Sequence, residues 1–268
     1  MKKTLFVLAM SMGVASAASI AYTDMTDSQK VGLLSAWSFD SSSAPDKDSI
    51  GFGDSSGFSY NEDGYAVIKS STGTPYNTSC GSLFSDGNFT ISLDINYIGS
   101  YNWEAILDLT STGALGDANT IQLSMNKNTK ELMLCSGVAG EATYAGTANG
   151  GNLGTGLLAE ETLNWATVTI VSNATDNILN LYVNGEVKGT WSGDAWTAAA
   201  GNSLALNGIQ IGAVLGGTRK INDVQIDNIA IWNTALSGTE VAALIVPEPA
   251  TASLSLLGLA ALMIRRRA

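Results

Sequence analysis

The sequence predicts an all-β fold: a two-sheet antiparallel sandwich of the jelly-roll type. Three observations carry that prediction. From Leu33 to Val246 the dominant hydrophobic period is two, the short apolar runs are separated by Gly, Asn, Asp and Ser, and a single short segment near the end reads as helix. No blade-like segment recurs at a fixed period, so a β-propeller is disfavoured. A body of this length suits one sandwich domain with one core.

Strands are expected first at Leu34 to Phe39 and Tyr65 to Ile68. The clearest run follows, where Phe89, Ile91, Leu93, Ile95 and Tyr97 alternate with Thr90, Ser92, Asp94 and Asn96. One face of it should be core and the other wet. Further strands are placed at Trp103 to Leu109, Ile121 to Met125, Glu131 to Ser136 and Trp165 to Val171. Ile178 to Val183 and Glu186 to Trp191 flank Asn184-Gly185, a pair that accepts positive φ at both central positions and so closes a two-residue hairpin. Ile209 to Ile211 and Val224 to Trp232 complete the set. Ser237 with Glu240 three residues later is a capping-box pattern before a short apolar helix.

Composition removes several function classes. The chain has no histidine, which excludes Ser-His-Asp and Cys-His nucleophile systems, histidine metal sites and imidazole general bases. The 268 residues carry a net charge of −11. Setting aside Lys2, Lys3 and Arg265, Arg266 and Arg267 from the 13 basic residues, and Glu248 from the 24 acidic ones, leaves 8 against 23, or −15, in the middle. Nucleic acid is therefore not an expected partner.

The two ends read as addresses. Lys2 and Lys3, the apolar run Leu5 to Met10 and the small residues Ala15-Ser16-Ala17 form a secretory signal over residues 1–17, with cleavage favoured before Ala18 and with Ala15 and Ala17 in the peptidase pocket. Residues 18–30 are read as a linker and residues 31–245 as the domain. The tail, residues 246–268, contains Pro247-Glu248-Pro249, an uncharged apolar stretch from Ala250 to Ile264, and Arg265-Arg266-Arg267. As a helix that stretch spans a little over ~20 Å, short of a comfortable membrane core but flanked by charges that hold its end at the cytoplasmic face. In detail the tail resembles the PEP-CTERM sorting signal of Gram-negative bacteria. The resemblance implies export, membrane retention and processing near Pro-Glu-Pro by an exosortase, followed by release or surface attachment. A plain single-pass tail anchor is the alternative.

A second resemblance lies in the body. Leu34-Ser35-Ala36-Trp37-Ser38-Phe39-Asp40 with Asp54-Ser55-Ser56-Gly57, the Leu181-Tyr182-Val183-Asn184-Gly185 hairpin, and Ile226-Asp227-Asn228-Ile229-Ala230-Ile231-Trp232-Asn233-Thr234-Ala235-Leu236-Ser237 are similar to motifs of laminin-G-like, concanavalin A-like jelly rolls. Between Cys80 and Leu163 nothing beyond strand pattern matches. Relatives of this kind often hold a structural calcium through the acid of the last strand and carbonyls of the opening segment. The resemblance thus implicates Asp227, while Asn228 stands where a second acid is frequent. A metal-free Asp227 hydrogen-bonded in its loop is the alternative.

Sugar chemistry on such a scaffold has two routes. Hydrolysis needs two carboxyls about 5 to 9.5 Å apart. The nearest approach is Glu104 with Asp108, four residues apart and hence on one face of a strand but roughly 13 Å apart along it; no catalytic residue is assigned. Binding needs exposed rings that stack on sugar C–H faces. Trp191, Trp196, Trp103 and Tyr101 are the candidates, whereas Trp37, Trp165 and Trp232 sit in alternating strands and are expected in the core. Cys80 and Cys135, the two cysteines, suggest one disulfide in an exported chain, with two buried free thiols as the alternative. The expectation is an exported, non-catalytic envelope module that contacts glycan or exopolysaccharide. A structural matrix protein and an atypical glycoside hydrolase or lyase are the rivals.

Overall fold

The computed structural model describes residues 18–40, 45–50, 59–61, 63–69, 76–84, 86–97, 104–110, 120–126, 131–136, 165–192, 206–211, 213–214, 219–220 and 222–246. The strands are, in chain order, β1 (Ala18–Ser19), β2 (Leu33–Trp37), β3 (Lys47–Asp48), β4 (Ser59–Asn61), β5 (Tyr65–Lys69) and β6 (Tyr76–Phe84). They continue with β7 (Phe89–Tyr97), β8 (Glu104–Thr110), β9 (Thr120–Asn126), β10 (Glu131–Ser136), β11 (Ala166–Asn173) and β12 (Ile178–Val183). The last six are β13 (Glu186–Ser192), β14 (Leu206–Ile211), β15 (Ala213–Val214), β16 (Arg219–Lys220), β17 (Asn222–Trp232) and β18 (Ile245–Val246), with one α-helix, α1 (Gly238–Ala243), before β18.

Two antiparallel sheets dominate. A nine-stranded sheet runs β13-β12-β11-β7-β17-β2-β3, with β5 paired to β17 and β4 to β5, and a five-stranded sheet runs β10-β9-β8-β14-β6. Between them lies the main core. Ile91, Leu93 and Ile95 of β7, Val168 and Ile170 of β11, and Ile229 and Ile231 of β17 meet Leu107 and Leu109 of β8, Leu123 of β9, and Ile209 and Ile211 of β14. Each of these aliphatic side chains contributes about 1.5–3 kcal/mol by leaving water. The predicted hairpin forms as expected: Asn184 (φ 52) and Gly185 (φ 78) both occupy the left-handed region. So does the capping box, in which Ser237 Oγ accepts from Glu240 N and Glu240 Oε2 accepts from Ser237 N.

The face of β7 expected to be wet is dry. Thr90, Ser92 and Asp94 are buried, as are Thr167 and Thr169 on β11. A cover of two pieces accounts for it. Ile20, Tyr22 and Met25, in the segment read as a linker, pack with Leu33, Ala36, Ala230, Trp232, Leu236 and Leu244, while Val241 of α1 packs on Val171 and Tyr182. Under this cover Ser92 Oγ and Thr169 Oγ1 lie 2.8 Å apart, and Thr90 Oγ1 donates to Thr234 O at 2.8 Å. Period-two alternation reports which face is apolar; it does not report whether the other face meets solvent.

The two ends of the body meet. β1 pairs with β18, Ala18 opposite Val246 and Ser19 opposite Ile245, so residue 18 and the start of the proline-rich tail leave the domain side by side. Among the described residues no helix is long and apolar enough to cross a membrane. Residues 1–17 and 247–268, which carry the leader (Ala15, Ala17), the Pro247-Glu248-Pro249 motif and Arg265 to Arg267, lie outside the described residues.

Candidate functional site

The described residues converge chemically at one place, the register pair Asp94 on β7 and Asp227 on β17. A bulge builds it. Between Asp227 and Ala230, β17 carries one residue more than β7 opposite, and Asn228 takes φ 46, a left-handed value asparagine tolerates. That twist turns the Asn228 amide onto both acids: Nδ2 donates to Asp94 Oδ2 at 3.0 Å and to Asp227 Oδ2 at 3.3 Å, and the Asn228 N–H donates to Asp227 Oδ1 at 2.8 Å.

Asp94 is held by two further groups. Ser19 N–H reaches both of its oxygens, at 2.9 and 3.1 Å, and the Thr167 hydroxyl donates to Oδ1. Thr167 is itself fixed by the hairpin turn, since its N–H donates to Asn184 Oδ1 at 2.9 Å and its carbonyl accepts from Asn184 N at 2.8 Å. Burial pushes the Asp94 carboxyl above the usual range, and the Thr167, Asn228 and Ser19 donors oppose that rise. Asp227, half-buried, is pushed up to about 7, chiefly by burial; the Asn228 N–H opposes this, and the charges of Asp94 and Asp40 reinforce it.

The calcium expected at Asp227 draws on that one acid together with backbone carbonyls of the opening segment. Among the described residues no group of three Asp, Glu, Cys or His comes together to hold a metal. The oxygens of Asp94 face N–H and O–H donors, and Asp227 accepts from two N–H groups of Asn228.

The other expected sites are placed as follows. Trp191 lies on β13, the outer strand of the large sheet, opposite Leu179. Trp196, Trp103 and Tyr101 lie outside the described residues. Trp37 and Trp232 are buried as expected, and Trp165, half-buried, packs on Tyr65 with ring centroids 5.7 Å apart. Glu104 and Asp108 both fall on β8, but a bulge between Ala105 and Leu107 breaks the period-two relation from which a shared face was inferred: their partners on β9, Met125 and Gln122, are three residues apart. Cys80 and Cys135 are not brought together. They lie on β6 and β10, the two outer strands of the five-stranded sheet. Four strand spacings put their backbones about 19 Å apart, whereas a disulfide needs Cα atoms within about 7 Å.

A concavity of about 310 Å³ lies between the Thr26–Gln29 turn and α1, lined among others by Leu236, Glu240 and Leu244. Its one carboxylate, Glu240, is committed to the helix cap. Sequence reasoning passed over Asp94. The available signal was that it is the sole acid among the alternate polar positions of its strand, and that signal acquires meaning only once the cover above it is known.

A family model described as "Concanavalin A-like lectin/glucanases superfamily" matches residues 70–242. No curated protein sequence matches the chain. Solved structures with a similar fold include domain 4 of AbnA, a GH43 extracellular arabinanase from Geobacillus stearothermophilus, in complex with arabinotriose, with 15% identity, 79% of this chain and 97% of that one covered, and TM-score 0.52. The Trypanosoma rangeli sialidase matches at 19% identity over 79% of this chain and 32% of that one, TM-score 0.50. The NanB sialidase of Streptococcus pneumoniae matches at 19% identity over 64% of this chain, TM-score 0.43, and the match spans 26% of the sialidase's length.

Proposed function

Because the chain belongs to the concanavalin A-like lectin/glucanases superfamily, we propose that it is an exported protein of the cell envelope or extracellular surface whose sandwich is a non-catalytic module binding glycan or exopolysaccharide. One observation carries the reading: the match spans nearly the whole of a self-contained arabinanase domain that was solved with arabinotriose. The leader and the PEP-CTERM-like tail support export, cleavage by signal peptidase, and retention and processing by an exosortase-type enzyme. The pairing of β1 with β18 agrees with this reading, since Ala18, which follows the leader, is registered with Val246, which precedes the Pro-Glu-Pro motif. Calcium at Asp227 belongs to this proposal as an accessory, and it would draw the Asp227 carboxyl down from about 7.

Binding is tested with the full chain on immobilised polysaccharides, with arabino-oligosaccharide as the first probe. Retention that is released by free sugar, weakened at least tenfold in Trp191→Ala and lost with chelator is the expected result. Absence of retention on every polysaccharide selects the structural matrix reading. Release of sugar products that fails in Glu104→Gln or Asp108→Asn selects the hydrolase or lyase.

A further inference from the structure

Asp94 is a carboxylate sealed inside protein with no cation among its partners. It is 1% exposed, and its donors are the Ser19 N–H, the Thr167 hydroxyl and the Asn228 amide, all neutral. The group registered opposite it on β17 is a second acid, Asp227, on which Asp40 acts in turn, while the cations of this face are engaged elsewhere, Lys47 Nζ on Leu33 O and Lys30 over the Tyr22 ring. A buried carboxylate in such company favours a positive partner.

One atom already in contact with Asp94 is able to become one. The small residues Ala15 and Ala17 permit a peptidase cut before Ala18; Ser16 and Ala18 meet the same requirement one residue later, before Ser19. The strand geometry distinguishes the two cuts. Ile20 N donates to Leu244 O at 2.7 Å, so backbone donors along this strand alternate between β18 and the opposite side. The Ser19 N–H is on the opposite side, against both Asp94 oxygens, while Ala18 is registered with Val246.

We propose that the leader is removed between Ala18 and Ser19, and that the α-ammonium so created is the counter-ion of Asp94, so that processing completes the folded module. Water adds across the Ala18–Ser19 peptide bond. The new carboxylate departs with residues 1–18, and the amine stays on Ser19 and takes up a proton. The Ala18 pairing with Val246 is given up, and the bond from Ile20 N to Leu244 O remains. An ion pair replaces a hydrogen bond from a neutral donor at a site that is 7% exposed at Ser19. The inference rests on the export reading above.

The test uses the full chain exported from a Gram-negative host, with the mature amino terminus identified by mass spectrometry. Ala17→Leu disables the earlier cut and Ser16→Tyr the later one. Both substitutions leave with the leader, so the mature chains differ only by Ala18. Wild type and Ala17→Leu are expected to begin at Ser19 and Ser16→Tyr at Ala18. The Ser19 form should melt higher by about 3–6 °C, and Asp94→Asn should abolish that difference. Should Asp94→Asn fail to fold, the α-amine itself provides the readout. In the native Ser19 form it should resist an amine-selective acylating reagent near neutral pH, and in the Ala18 form it should react. A wild-type terminus at any residue other than Ser19, or a Ser19 form that is no more stable and whose amine reacts freely, overturns the inference and leaves export standing. A surface-located chain that retains residues 1–18 also overturns it, and an unprocessed cytoplasmic chain overturns it together with the export reading.

Discussion

On the inner face of β7, Phe89, Ile91, Leu93 and Ile95 are buried against the five-stranded sheet; on its outer face Thr90, Ser92 and Asp94 are buried as deeply, under the amino-terminal segment and α1. The inner face needs no partners beyond shape, because aliphatic groups are stabilised by leaving water. On the outer face the polar side chains of β7 are taken from water against hydrogen bonds, and the acceptors and donors come from distant parts of the chain: Ser19, Thr169, Asn228 and Thr234. A sheet face can therefore be desolvated by polar side chains, provided each is paired. The consequence is specificity. The inner face is held by volume and shape, whereas the outer face in addition requires its polar partners to meet in register.

The largest expected effect lies on the inner face. Ile91→Ala removes a side chain at 0% exposure and leaves a cavity between two sheets that cannot collapse, a loss of about 4 kcal/mol in denaturant unfolding. A loss below about 1 kcal/mol would mean that the inter-sheet core is loosely packed, and the comparison would fail on its simpler side.

On the outer face the pattern should be one of coupling. Asp94→Ala orphans the Ser19 N–H, the Thr167 hydroxyl and the Asn228 amide together, a cost of about 3 kcal/mol. Ser92→Ala and Thr169→Val should each cost about 1–2 kcal/mol by stranding the other hydroxyl, and the double variant should recover most of that loss, because replacing both partners leaves nothing unpaired. Additive costs in the cycle would show that water reaches this pair, and the dry polar face would have to be given up.

How much of this was legible in the sequence differs between the same two faces. The strand Phe89–Tyr97 and the strand Glu131–Ser136 follow from alternation and turn residues, as do the Asn184-Gly185 turn and the Ser237/Glu240 cap, because each signal is local. β6 was not expected, since Tyr76 to Phe84 is largely polar and holds Gly81, so neither period nor propensity marks it. The large sheet's polar cover could not be read either. Ile20, Tyr22 and Met25 show no strand or helix period, and what places them is a contact with residues some two hundred positions later. Asp227 was found through its motif, and its partner Asp94 was not. The pair exists only through cross-strand register, and the bulge at Asn228 that joins the two acids is set by backbone geometry that a single sequence does not display.

The smallest expected effect sharpens the comparison at the rim of the polar face, where Asp227 is half-buried and solvent begins. Its folded-state carboxyl is raised to about 7 from an unfolded value of 3.8. Between these two values the folded chain holds a proton that the unfolded chain has released, so stability should be greatest at about pH 4, fall as pH rises to about 7, and level off above it. The fall should amount to about 2 kcal/mol once the partial exposure of Asp227 is allowed for. Asp94 is shifted upward as well and adds to the same slope, so Asp227→Asn should flatten the profile in part and stabilise the chain above pH 7 in chelator. Calcium gives the opposite sign if it binds here: at pH 8 it should raise Tm in wild type and leave Asp227→Asn unmoved. A profile in which Asp227→Asn leaves the slope between pH 4 and pH 7 unchanged in chelator would mean that Asp227 is solvated and titrates alike folded and unfolded, and the boundary between the dry face and solvent would lie further in, at Asp94.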